Sequence, residues 1–151
     1  MDRERIAEAA FPHSEAAVAH SYVMPRHPLH AGDALHRLPY DPAAGRAMLE
    51  QAGWQDTDGD GLREAYGVGG IAGGTVFSAT LLTTEGDAAR QRAAAVLQQH
   101  LADCGVGVSI DYLPPDVFYA DGPDGPVFGR QFDLALFSWL NGLSAPCELY
   151  L

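Results

Sequence analysis

The chain has 151 residues and a mass of 16.1 kDa, the size of one ordinary domain built around one core. Nine Lys and Arg stand against twenty Asp and Glu, a formal charge of −11, and the basic residues are scattered, so no positive face exists for nucleic acid or an anionic membrane. No apolar run approaches a membrane span, and the charged start MDRERIAEAAF is not a signal peptide, so neither membrane insertion nor a targeting segment is expected within these residues.

In chain order, Asp2 to Phe11 reads as the end of a helix, with Ile6 and Ala9 or Ala10 at helical spacing, and its abrupt start suggests a piece of something longer. The segment 12–40 carries prolines at positions 12, 25, 28 and 39 and is expected to be extended and to lie over the rest of the domain. Five of the six histidines lie in or beside it, among them His27, His30 and His36. Imidazoles ligate metals, but no regular element fixes their spacing, which favours ordinary loop histidines.

In YDPAAGRAMLEQAGW, Asp41 is a good N-cap, Pro42 fits the first helical position, and Gly53 can take the left-handed position beyond the end. A helix over 42–52 is expected, with Ala44, Ala47, Met48 and Trp54 toward the core. DTDGDGLRE follows, then the glycine-rich GVGGIAGG, expected to be a flexible connection, and TVFSATLLT, whose β-branched and aromatic residues predict a strand.

Asp87 or Thr84 can cap a long helix ending at Gly105, with Ala89, Ala93, Val96, Leu97 and Leu101 along its apolar stripe. VGVSIDYL alternates as a half-buried strand does, PPDVFYA starts a short helix, and FDLALFSWL is a strongly apolar strand. Strands separated by helices predict an α/β class with a mostly parallel sheet, right-handed crossovers, and ligands at the carboxyl ends of the strands. Those ends fall at Thr83 to Gly86, Leu113 to Asp116 and Trp139 to Leu143.

Within DTDGDGLRE, Asp56, Asp58, Asp60 and Gly61 match the first half of an EF-hand loop. The bidentate glutamate that should stand at the twelfth position is replaced by Gly67, so the full motif is excluded. Two readings stay open: a tight turn, since Asp bonds the backbone ahead and Gly accepts positive φ, and a looser calcium site with Glu64 as a further ligand. The second carries an alternative function, a calcium-stabilised structural or adhesion module.

GVGGIAGG has dinucleotide-fingerprint spacing but precedes a strand rather than opening a helix, and no G-x-S-x-G elbow supports a hydrolase. Cys104 and Cys147 match no zinc spacing, leaving two thiols or one structural bridge. The stretch after the last strand is different. Ser138, Trp139, Asn141 and Gly142 bring a stacking face, two hydrogen-bonding side chains and open backbone to one loop, as small-molecule sites do.

Several segments together resemble the extracellular solute-binding proteins of family 5, the peptide, dipeptide and nickel receptors of bacterial ABC importers. They are MDRERIAEAAF, AHSYVMPRHPLH, YDPAAGRAMLEQAGW, DTDGDGLRE, the run from Leu81 to Leu113, and FDLALFSWLNGLSAPCELYL, in that order over nearly the whole chain. The resemblance implies one lobe of a type II periplasmic-binding fold, most of the C-terminal one, with the N-terminal lobe, signal sequence and return crossover outside these residues.

It also implies a periplasmic or extracellular setting, an ABC permease as partner, a peptide or other small solute as ligand, no catalysis and no cofactor. The last loop departs from the family pattern. Aspartates that follow the tryptophan in peptide receptors fall here at Gly142 and Ala145, with Pro146 retained. An ammonium buried in a closed cleft needs a counter-charge, so recognition of a free α-amine loses its partner in this loop.

Overall fold

The computed structural model of the chain describes residues 1–14, 18–21, 23, 27–35 and 38–138. Helix α1, Arg3–Ala10, starts where the Asp2 carboxylate accepts from the Arg5 N–H. The described part of the 12–40 segment is irregular apart from one 3-10 turn, Gly32–Ala34. Helix α2, Pro42–Gln51, begins on the Asp41 side chain, which accepts from the Ala44 N–H, and Gly53 beyond its end has φ +92°.

The face of α2 is corrected. Ala44, Ala47 and Met48 are exposed, Met48 at 69%, and the half-buried positions are Pro42, Gly45 and Leu49. Gly45, lacking a side chain, sits against the Cys104 sulfur, where an added Cβ would meet it at 3.9 Å. Trp54 does turn inward, half-buried, and stacks on Phe77 with ring centroids 4.3 Å apart.

After α2 the chain makes a small antiparallel hairpin that periodicity does not reveal, β1 Trp54–Gln55 paired with β2 Glu64–Ala65. DTDGDGLRE is its connection. Then come β3 Ser78–Thr84, α3 Ala88–Ala102 capped by Asp87, β4 Gly107–Leu113, the short α4 Pro115–Phe118, and β5 Leu134–Leu136. The three longer strands form one parallel sheet in the order β4-β3-β5, as the strand and helix alternation predicts.

The register pairs Thr84 with Leu113 and Thr83 with Leu136, so the carboxyl ends of all three strands reach one edge. Strand β3 is central among the described strands, and its burial rises toward that edge, with Leu81, Leu82, Thr83 and Thr84 buried. Against Leu82 pack Phe118 and Val127, flanked by Leu113, Tyr119 and Phe137.

Helix α3 packs on the sheet, against β3 and β4, and also against α1. Its buried residues are Ala93, Ala94 and His100, while Ala89, Val96, Leu97 and Leu101 of the expected stripe are half-buried. Arg92 fastens α1 from α3, its Nε and Nη2 donating to the Ala9 and Ala10 carbonyls at 2.7 and 2.9 Å, which satisfies two of the orphan acceptors of that helix end.

Candidate functional site at the carboxyl edge of the sheet

Thr83 and Thr84, at the exit of β3, have no exposed surface. A buried hydroxyl must find a partner. Thr83 Oγ1 donates to the Leu136 carbonyl at 2.8 Å, holding the end of β5 to β3, and Thr84 Oγ1 accepts from Nη1 of Arg90 in the first turn of α3. The same guanidinium sends Nη2 to Ser138 Oγ at 3.3 Å, and its Nε faces the Asp87 carboxylate at 3.5 Å.

Arg90 thus ties the exits of β3 and β5 to the start of α3. Asp87 is the N-cap of that helix, and the hydrogen bond it accepts from the Arg90 N–H, seconded by the charges of Arg90 and Arg92, holds its carboxyl below the ordinary 3.8. Partial burial opposes that shift.

Of the expected ligand residues, Ser138 is at this edge, exposed, two residues past the end of β5. Trp139, Asn141 and Gly142 lie outside the described residues. Thr83 and Thr84 belong to a strand end that the sequence marks out, whereas Arg90 is not singled out from sequence. A capped helix beginning three residues after a strand is the signal that would have found Arg90, because it puts the first-turn side chains over the strand exit.

Beside Ser138 opens a cavity of about 470 Å³ between α1, α3 and the end of β5, walled mainly by apolar groups including Ile6, Ala10, Val18, Ala93 and Leu136. Its charged lining is Arg3, Arg90 and Asp87.

The acidic loop lies elsewhere. Asp56 accepts from the Gly59 and Gly61 N–H groups at 2.7 and 3.1 Å, Asp58 from Asp60 N–H at 3.1 Å, and Asp60 from Leu62 N–H at 2.7 Å. Each carboxylate bonds the backbone ahead, the turn reading of the stretch. Glu64 is buried and accepts from both the N–H and the hydroxyl of Thr57 at 2.9 and 2.7 Å.

Carboxylate oxygens of Asp56, Asp58 and Glu64 do lie within 4.8 Å of one another, but Asp60 is not in the group, so three of the four expected calcium ligands are brought together. Among the described residues this is the only set of three or more metal-ligating side chains, and no histidine joins it. His27 and His30 instead accept through Nδ1 from the N–H groups two residues on, of Leu29 and Gly32, at 3.1 Å each. Cys104 is half-buried with a free thiol, while His36 and Cys147 lie outside the described residues.

Behind that loop, Arg63 is buried at the amino end of the sheet. Its Nε donates to Cys104 O at 2.8 Å, Nη1 to Trp54 O at 2.9 Å and Nη2 to Glu50 at 3.1 Å. No helix among the described residues is long and apolar enough to cross a membrane.

A family model described as bacterial extracellular solute-binding proteins, family 5 Middle, matches residues 1–150. The oligopeptide-binding protein AppA of Bacillus subtilis (strain 168) is 35% identical over 72 residues, 48% of this chain and 12% of AppA. The structure of AppA in complex with a nonapeptide superposes with a TM-score of 0.77 and 25% identity, covering 96% of this chain and 27% of that one.

An oligopeptide-binding protein from Thermus thermophilus, complexed with a pentapeptide, gives a TM-score of 0.81 at 24% identity over 99% of this chain and 24% of its own, a likeness of fold. NikA from Brucella suis, in complex with Fe(III)-EDTA, matches with a TM-score of 0.56 and 25% identity over 70% of this chain and 19% of its own. The chain therefore spans about an eighth of the curated relative and about a quarter of the two peptide-bound structures.

Proposed function

Since the chain belongs to the bacterial extracellular solute-binding proteins of family 5, we propose that it supplies one wall of an interlobe cleft that captures a peptide or another small solute for an ABC importer. In this reading the chain is most of the C-terminal lobe of a longer receptor, with the N-terminal lobe and an ABC permease as partners and the periplasm or cell exterior as setting.

The observation that carries the reading is the convergence of three parallel strand ends, capped by Arg90 and leading to Ser138, beside a cavity of about 470 Å³. Ligands of open parallel sheets meet that edge. Trp139 packs on the solute, Ser138 and Asn141 hydrogen-bond to it, and Gly142 lets its backbone approach.

No catalytic step is involved. Binding works by hinge closure, driven by contacts made only when both lobes meet the solute. Half of those contacts are absent from one lobe, so affinity belongs to the two-lobed protein. The test is calorimetric titration of the two-lobed protein and of this chain alone with a peptide pool. The two-lobed protein binds, whereas micromolar binding by the chain alone would overturn the half-site claim.

A further inference from the structure

Resting on that reading of the lobe as a cleft wall, we propose that the cavity between α1, α3 and the end of β5 is a subsite for an apolar group bearing a carboxylate, and that Arg90 is the residue that takes the carboxylate.

The chemistry of the lining sets the ligand class. Apolar groups from both helices and β5 make most of the wall, and the volume of about 470 Å³ lies within the range of small-molecule sites. Its lining carries two guanidinium groups, Arg3 and Arg90, and one carboxylate, Asp87, so the charge of the lining is positive in a chain of net charge −11. An apolar hollow with a net positive lining suits an amphipathic acid and disfavours an ammonium.

Arg90 is built for the task in three respects. Its side chain is only 22% exposed, so its field is weakly screened. It is anchored to Thr84, which has no exposed surface, so its orientation is fixed before any ligand arrives. And it has donors to spare. A guanidinium carries five N–H groups. Nη1 donates one N–H to Thr84 and Nη2 one to Ser138 at 3.3 Å, and Nε is buried against the Asp87 carboxylate at 3.5 Å, which leaves a second N–H on each terminal nitrogen. A carboxylate entering beside Ser138 would accept from the guanidinium and from the Ser138 hydroxyl together. Arg3, also in the lining, offsets the repulsion from Asp87; its Nη1 donates to Ala19 O at 3.3 Å and its Nη2 lies 2.7 Å from His20 Nδ1.

The carboxylate could be a peptide C-terminus or the head of an acyl chain, and the test separates them. The two-lobed protein is titrated calorimetrically with a pentapeptide ending in leucine as the free acid, with its C-terminal amide, and with decanoate. A charge-assisted hydrogen bond predicts about tenfold or greater preference for acid over amide, lost in Arg90→Gln. Equal binding of acid and amide, or a preference that survives Arg90→Gln, overturns the subsite while leaving the receptor reading intact. Arg90-dependent binding of decanoate alone supports the subsite and overturns the peptide reading. Binding of none of the three overturns both.

Because Arg90→Gln also removes the tie to Thr84, a second variant is made at Ala7, which lines the cavity from α1; Ala7→Phe fills the hollow and leaves Arg90 in place. It should weaken the leucine-ending acid about tenfold and a glycine-ending acid little. Equal weakening of the two acids, or none, overturns the claim that the apolar wall holds the ligand.

Discussion

Replacing Arg63 by alanine is expected to remove a large part of the stability of the domain. Arg63 joins three elements, the end of α2 through Glu50, the hairpin through Trp54 O, and the end of α3 through Cys104 O. Its side chain is 7% exposed, so the two carbonyl partners would lose their donors in a site that water reaches poorly. A hydrogen bond from a charged donor is worth roughly 1.5–3 kcal/mol. The Glu50 pair contributes little, because Glu50 is 58% exposed and solvent screens it. Two carbonyl bonds therefore give a loss of about 3–6 kcal/mol, set against the roughly 5–15 kcal/mol that domains typically possess. Arg63→Lys, with one compact head for two divergent carbonyls, should lose about half as much. Arg46 provides the control, since it also reaches the end of α3, donating to Asp103 O at 3.2 Å, but from an exposed position. Arg46→Ala should cost within about 0.5 kcal/mol. Urea denaturation followed by circular dichroism measures all three. A loss below about 1 kcal/mol for Arg63→Ala, or one no larger than for Arg46→Ala, would refute the argument that burial makes this arginine a structural keystone.

Three further outcomes follow from the same geometry. Gly105→Ala should destabilise the domain by about 1–3 kcal/mol, because Gly105 has φ +82° and an added Cβ would lie 2.7 Å from Arg63 Cγ; in the Arg63→Ala background the cost should fall, leaving the backbone strain alone. Asp87→Ala should cost about 1 kcal/mol as a lost N-cap at neutral pH. Since the folded carboxyl titrates below its ordinary 3.8, its contribution is present above that value and is lost as pH falls through the lower folded value, so wild type and variant should converge in acid denaturation. Calcium at 1 mM should leave the melting temperature unchanged; a site with a dissociation constant of ~10⁻⁴ M would add about 1.4 kcal/mol, and a shift of that size would overturn the turn reading of residues 56–61.

How much of this was legible in the sequence varies with the range of the interaction. The start of α2 and the cap of α3 are written locally, in Asp41 with Pro42 and in Asp87, and both appear where expected. The three parallel strands are legible because β-branched and aromatic runs between helices leave few topologies. The buried face of α2 was not. Alanines at 43, 44, 47 and 52 give the helix almost no apolar side, and what decides is Gly45 meeting Cys104 fifty-nine residues on. The hairpin strands, two residues each, are too short for any period to register. Arg63 and Arg90 were passed over for a common reason. A charged residue reads as surface, and only three-dimensional placement supplies the carbonyls and hydroxyls that let it be buried.

The two arginines also mark how far apart the two candidate stretches lie. Helix α3 runs against the strands, so its first turn lies at their carboxyl ends and its last at their amino ends. Arg90 belongs to the first turn and contacts the exit of β3; Arg63 contacts the residues after the last turn and its carbonyl accepts from Phe77 N–H, just ahead of the start of β3. Glu64 bridges Val76 on the same side. Seven residues of β3, about 3.3 Å each, therefore separate the acidic loop from the carboxyl edge of the sheet by roughly 20 Å. An ion held by Asp56, Asp58 and Glu64 would be out of reach of a solute bound, as proposed, at Ser138. It could affect solute affinity only by shifting β3 bodily, and that strand is hydrogen-bonded on both sides to β4 and β5. The carboxylates of the loop are accordingly matched by backbone N–H groups of their own turn, while the terminal nitrogens of the guanidinium at the opposite edge keep N–H groups beyond those given to Thr84 and Ser138.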